Sequence, residues 1–541
     1  LAPLWSAPLW LAPLLLFFFV APGCGGRPEL YEEKITLGGP IVVGAHVAYM
    51  DRTRERITLV RPHTREIRQV PVGRRPAFML PSPDHTRLLV LCKGWIAKEK
   101  GEQNEEPALH VIDPTTGEST IYPLESPFDE VAVSADNRYA VAYFSASVGP
   151  GQDEVFRNPN AVALLNLENG ELVHKTVRSF GDVPRGVVFS PPDMTPLGPN
   201  GTPGEPRTLA VVFATGYLTF MDVTDPQRSE VTVRLSLPEM NQDIIGRELV
   251  FVPQSGTAFL RTAATSDIYV FALTSRQTTE PTQNDFQISI NTLPATTVPG
   301  DIAVFQDGDA QKVLVANGAS GNVTVVDAHT SQFTTIPVGT PVDEILLYPA
   351  DAPNQAVLYS TATALNTIHF LDLHDLEENK GHNLSTLNAS EPILSIAPLP
   401  SGDAALVVHN DSRSVMSVLD LGDRTLNPFT AHSALFDYAV TGSGHLLAGF
   451  TEGMNQLGLI DLANLNVRTL QLAHEPVRVL GLRPPGEQSS ASETNTLVIH
   501  HAADFGLLTV VSNPSTADSE SIYVMSGFLM QDILNDRYED K

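Results

Sequence analysis

Between residues 76 and 511 one pattern recurs nine times: an apolar or proline-marked start, a short apolar strand, a turn, a second apolar strand, and a third ending near Val-Ile-Asp. The units begin at Pro76, Pro127, Pro184, Ile245, Pro299, Pro341, Pro392, Leu435 and Pro476. Their third strands read LHVIDPTTGE, VALLNLENGE, LTFMDV, IYVFAL, VTVVDAHTS, IHFLDL, MSVLDL, LGLIDL and LLTVVS. A shorter unit, HVAYMDRTRERITLVRPHTREIRQVPVG, precedes them and brings the count to ten. Such a repeat is a severe constraint, because each unit buries its apolar surface only against its neighbours.

The strands are four to seven residues long, rich in Val, Ile, Leu and Phe, and bounded by Gly, Pro, Asn or Asp. No stretch of residues 40–525 keeps a helical period for three turns, so the chain is predicted all-β. Short strands in units of 40–60 residues predict a β-propeller of four-stranded blades, whose radial repetition leaves only short edges. A large single ring of 8–10 blades over residues 40–528 is favoured over two smaller propellers, since no linker separates any two units. Closure is expected to use a strand borrowed from the opposite terminus, either residues 30–37 or 519–529; residues 529–541 read as a tail.

Residues 312–339, KVLVANGASGNVTVVDAHTSQFTTIPVG, resemble the YVTN-type β-propeller repeat, with a strand ending in Ala-Asn, a Gly/Ser/Asn hairpin, a Val-Asp strand end and a closing Ile-Pro-Val-Gly. The resemblance implies the propeller fold and says little about function. Near the N-terminus the apolar run 9–21 ends at Val-Ala-Pro-Gly-Cys, which resembles a bacterial lipoprotein signal. That resemblance implies a signal peptide over 1–23, a lipid on Cys24 and a tether over 24–39. Gly25 after the cysteine resembles lipoproteins sent to the outer membrane of a Gram-negative envelope, with the folded part extracytoplasmic and membrane contact through the lipid. Cys92, after the strand RLLVL, reads as a buried structural thiol.

Charge narrows the partners. With 62 acidic against 34 basic residues, a net charge of −28 repels phosphate, and nucleic acid is not expected to bind. The sequence carries no nucleophile elbow, zincin, paired-cysteine or phosphate-loop motif, and no cofactor is implied. The function expected is a binding or assembly scaffold for a protein or glycan partner. The alternative is a channel-mouth enzyme of lactonase-like or periplasmic redox type, with a metal ion at the mouth.

In a propeller, loops joining second to third strands and linkers joining one blade to the next share one face. Two consecutive units carry long second-to-third insertions, 93–107 and 145–160, which are expected to lie side by side. Their candidate partner-binding residues are Trp95, Lys98, Glu105, Asp153, Phe156 and Arg157. Acids at the start of first strands, Asp129, Asp301, Asp343 and Asp437, are candidates for the channel mouth, where Arg74, Arg75, Arg185 and Arg478 would neutralise them. His409 and His500 read as equivalent strand-end positions, with Glu452 near that place in the unit between; a His/Glu/His set is what a metal needs, but positions two blades apart are separated by more than one ion bridges unless they converge at the axis, so ordinary strand-end histidines at the channel mouth are expected. The insertion 190–206 falls on the opposite face and reads as a plain loop.

Overall fold

The computed structural model describes residues 35–530 apart from 98–102, 149–157, 199–200, 236–243, 375, 377–383, 410–412, 432, 485–494, 504 and 513–521. Ten four-stranded antiparallel sheets follow one another, each a meander in which neighbours in sequence pair. The blades span 37–71, 76–123, 130–176, 186–234, 246–294, 301–337, 344–388, 393–430, 437–471 and 476–526. The first strand begins at Leu37, slightly ahead of the expected boundary. First strands of adjacent blades approach one another around the ring, and the last blade meets the first, so these strands line the centre.

Ten apolar clusters occupy the ten blade-to-blade interfaces. Between blades 2 and 3, Leu89, Leu91 and Leu109 pack on Phe128, Ala140, Ala142 and Phe144. Leu88, Val90 and Cys92 of the same strand face the other way and pack on Met50, Ile57 and Leu59 of blade 1. Alternate side chains therefore serve opposite neighbours, which is why the second strands read as unbroken apolar runs. A sheet covered on both faces has no room for polar alternation.

Among the described residues the ring closes without strand exchange, contrary to expectation; residues 30–34 and 519–521 of the expected closing segments lie outside them. The strand Ile522–Ser526 pairs within blade 10, and Leu37–Val43 pairs within blade 1. Closure is made by side chains: Val47, Tyr49 and Val60 of blade 1 pack on Leu480, Val498, Leu508 and Val510 of blade 10, with Phe528 and Leu529. The Arg54 and Arg56 guanidiniums donate to the Leu529 carbonyl at 2.9 and 2.8 Å, and Arg65 lies 4.3 Å from the Tyr523 ring centre. Blades already covered on both faces need no shared strand to hold the seam.

The 190–206 insertion is also more than a plain loop. Leu197 donates to the Leu273 carbonyl at 2.9 Å and accepts from Ser275 N–H at 2.8 Å, pairing with the third strand of blade 5 beyond the end of its second strand. Met194 is fully buried in the cluster between blades 4 and 5. Arg207, at the root of the insertion, binds Asp222 at 3.0 Å and Asp285 at 2.7 Å.

Candidate functional site: the linker face

In a meander of four strands, the second-to-third loops and the blade-to-blade linkers emerge at the same end. On this linker face the roots of the two long insertions meet at one carboxylate. Asp129, whose side chain has no solvent exposure, accepts from Lys93 Nζ at 2.7 Å and from Ser145 N–H at 3.2 Å. Lys93 starts one insertion and Ser145 the other, so the expected adjacency holds at their bases. Asp129 is a buried joint rather than an open mouth residue.

Trp95 and Glu105 close the neck of the first insertion. Trp95 N–H donates to the Glu105 carbonyl at 2.8 Å and the reciprocal bond is 2.9 Å. The Glu105 carboxylate accepts from the backbone N–H of Arg74 at 2.8 Å, while the Arg74 guanidinium lies 5.8 Å from the Trp95 ring centre. Ile96, next along, is 66% exposed. Lys98, Asp153, Phe156, Arg157 and Cys24 lie outside the described residues.

The other acids act as clasps. Asp301 accepts from Ile345 N–H of the following blade at 2.8 Å, and Asp437 does the same for Val479 at 2.9 Å. Asp343 turns back on its own blade, accepting from Thr361 N–H at 2.8 Å and from the Ser360 hydroxyl at 3.2 Å. Burial, and then the neighbouring charge of Glu248, push the Asp301 carboxyl up to about 7. Glu248 is itself held by Arg261 at 2.7 Å.

The histidines follow a rule that sequence spacing missed. Two neighbouring positions, the end of the second strand and a facing site on the third, carry a polar pair in several blades. Asn317 donates to Thr324 Oγ1 at 2.8 Å; His409 Nε2 bonds Ser417 Oγ at 2.8 Å; His501 Nε2 bonds Thr509 Oγ1 at 2.8 Å. His409 Nδ1 and His501 Nδ1 reach the carbonyls of Glu391 (3.2 Å) and Glu475 (3.0 Å) in the incoming linkers. In blades 2 and 7 the imidazole occupies the third-strand site instead: His110 accepts from Gly73 N–H at 3.0 Å, and His369 bonds Thr340 Oγ1 at 2.6 Å. Each ring pins the linker that enters its own blade.

His409 is therefore equivalent to His501, and the expected match with His500 is off by one. Strand pairing aligns Thr496–Ser512 of blade 10 with Ala404–Asp420 of blade 8, so Leu419 matches Val511 rather than Val510, and a shift of one residue exchanges the two faces of a strand. His500 instead faces blade 1, with Nδ1 3.2 Å from the Tyr49 hydroxyl. Glu452 is exposed on the 451–455 loop. Among the described residues no three His, Cys, Asp or Glu side chains converge to hold a metal, and His409, Glu452 and His500 do not form such a set.

Among the described residues, several large apolar side chains stand exposed on this face beside polar ones such as Glu452. Phe436 (54% exposed), Met454, Val477 and Phe505 project from the linkers and loops of blades 9 and 10, and Ile96 and Val148 from the two insertions. The Gly453 N–H donates to Glu475 at 3.0 Å, joining the loop that bears Met454 to the linker that precedes Val477.

No protein-family model matches the chain, and no curated protein sequence matches it. Among solved structures it is similar to dihydro-heme d1 dehydrogenase NirN in complex with DHE, at 12% identity and a TM-score of 0.39, over 71% of this chain and 73% of that one.

Proposed function

We propose that the protein is a lipid-anchored, extracytoplasmic β-propeller scaffold that binds a partner on its linker face. The observation that carries this reading is the division of labour on that face. Asp301, Asp437, His409 and His501 are engaged in clasps between strands and linkers, whereas Phe436, Met454, Val477, Phe505, Ile96 and Val148 stand exposed. Exposed apolar side chains framed by polar loops are the composition of a protein-binding surface, and favour a protein over a glycan. Cys24 supplies the anchor, and the outer membrane of a Gram-negative cell is the place such a signal specifies.

A photo-crosslinking amino acid placed at Ile96, Phe436 and Phe505 tests the face directly in the native cell. Ile121 and Val524, on outer strands and 59% and 51% exposed, are matched controls. One partner, captured from the three linker-face positions and reconstituted from purified components, is expected. Equal capture from the outer strands, or none from the linker face, refutes the proposal. Mass spectrometry of the mature protein is expected to show an acylated Cys24; an unmodified Gly25 terminus overturns the anchor.

A further inference from the structure

Towards the other end of the ring, where first and second strands join, the first strands of blades 1, 2, 8, 9 and 10 line an open cavity of about 470 Å³. Its walls include Pro40, Pro398 and Pro400, with Tyr438 and short aliphatic side chains. Its charged groups are all potential cations: Arg478, Arg483 and His85. Among the described residues no Asp or Glu lines it, in a chain that carries 62 of them. Such a segregation of charge is a local reversal of the field that the whole molecule projects.

The three groups are held differently. Arg478 donates to the Pro40 carbonyl at 3.3 Å across the seam between blades 10 and 1. Arg483 is fixed through its backbone, whose N–H donates to the Gly44 carbonyl at 3.1 Å; among the described residues its guanidinium has no hydrogen-bond or ion-pair partner. A guanidinium offers five donors in a planar fork matched to carboxylate geometry.

His85 sits at a backbone angle that other blades give to residues better suited to it. Its φ is 58°, at the turn position occupied by Asn137, Gly402 and Gly444 in blades 3, 8 and 9. A β-carbon in the left-handed region costs about 1 kcal/mol, although histidine tolerates it better than most. The imidazole is thereby turned to the cavity, with Nδ1 3.3 Å from the Val42 carbonyl. The adjacent Asp84 carboxylate is directed into its own turn, accepting from the Ser82 hydroxyl at 2.5 Å and from Thr86 N–H at 3.1 Å. It does not line the cavity, although its charge acts on His85.

We propose that this cavity binds a small organic anion, a carboxylate on an apolar body, with the body between the proline walls and the charge held by Arg478 and Arg483 beside His85. The site runs along the first strands from Arg478 towards Arg483 and is lined by none of the six partner-surface residues. The apolar wall contributes affinity by burial, and the paired guanidiniums contribute selection for charge.

Isothermal titration with 1-naphthylacetate, and with the uncharged 1-naphthalenemethanol, tests the assignment on the full-length protein. The acid is expected to bind at least about tenfold more tightly than the alcohol, a difference of about 1.4 kcal/mol. Arg478→Gln with Arg483→Gln is expected to remove that preference while leaving the alcohol's affinity unchanged. Ala397→Trp, at an exposed wall position, is expected to abolish both titrations. Equal binding of acid and alcohol, binding of the acid unaffected by the double substitution, or no binding of the acid at millimolar concentration overturns the proposal. The acid-against-alcohol comparison needs only the wild-type chain, so it decides even if a variant fails to fold.

Discussion

Lys93→Met tests whether the two insertions share a structural root. The ion pair it removes is 2.7 Å long, with side-chain exposures of 11% for Lys93 and 0% for Asp129. At an effective dielectric of 20 the attraction at that distance is about 6 kcal/mol, most of it offset by desolvation. Losing one partner of a buried pair costs about 3–5 kcal/mol because the remaining charge stays buried. Asp129 keeps the Ser145 N–H, so we place the loss near the lower end, about 3 kcal/mol. Hydrogen exchange reads this locally, which suits a chain of ten blades better than a global melting curve. Amides of Leu88–Cys92 and Tyr139–Tyr143 are expected to exchange about 150-fold faster, the equivalent of that free energy. Adding Asp129→Asn removes the stranded charge and is expected to restore most of the protection. A loss below about 1 kcal/mol, or a double variant worse than the single, would refute the reasoning.

Further expectations follow from other joints. Burial holds His46 and His500 down to about 4, so both are neutral when folded and take up protons on unfolding. Their contribution is complete above the ordinary histidine value near 6.5 and is lost as pH falls from there towards 4; exchange in blades 1 and 10 is expected to accelerate over that window, and a flat profile contradicts the burial. Burial pushes the Cys92 thiol up to about 12, so native protein is expected to resist iodoacetamide at pH 8 and to react only on unfolding. Arg207→Met strips the cation from Asp222, which is 4% exposed, and is expected to cost about 3 kcal/mol, read as faster exchange at Leu197 and Ser275. Asn317→Ala loses the bonds to Thr324 and Asn322 and is expected to destabilise blade 6 by about 1–2 kcal/mol in urea unfolding, with blade 3 unaffected.

Much of this architecture is legible in the residues themselves, and the exceptions have physical causes. The repeat predicts four-stranded blades and a large single ring because apolar strands bounded by turn residues recur without a break. It does not predict the closure, since a seam made by Tyr49, Phe528 and Leu529 looks like any other interface when each blade is already apolar on both faces. The 190–206 insertion is rich in proline and glycine, yet Leu197 pairs with a strand that runs from Asp267 to Ser275, longer than the second and third strands of other blades. That extra length was the available signal. Adjacent histidines at 500 and 501 defeat spacing arguments, because the apolar strands 496–501 and 507–512 carry no polar alternation to fix their alignment and a slip of one residue exchanges the two faces. The cationic cavity was out of reach for a different reason: Arg478, Arg483 and His85 come from two blades that only ring closure brings together.

Every placement of a loop, clasp or cavity rests on one closed ring of ten. Single-particle imaging of the purified protein tests it most directly. We predict one unbroken ring with ten radial blades and density continuous between the first and last. Fewer blades, a gap at that seam, or two separate rings would contradict the account.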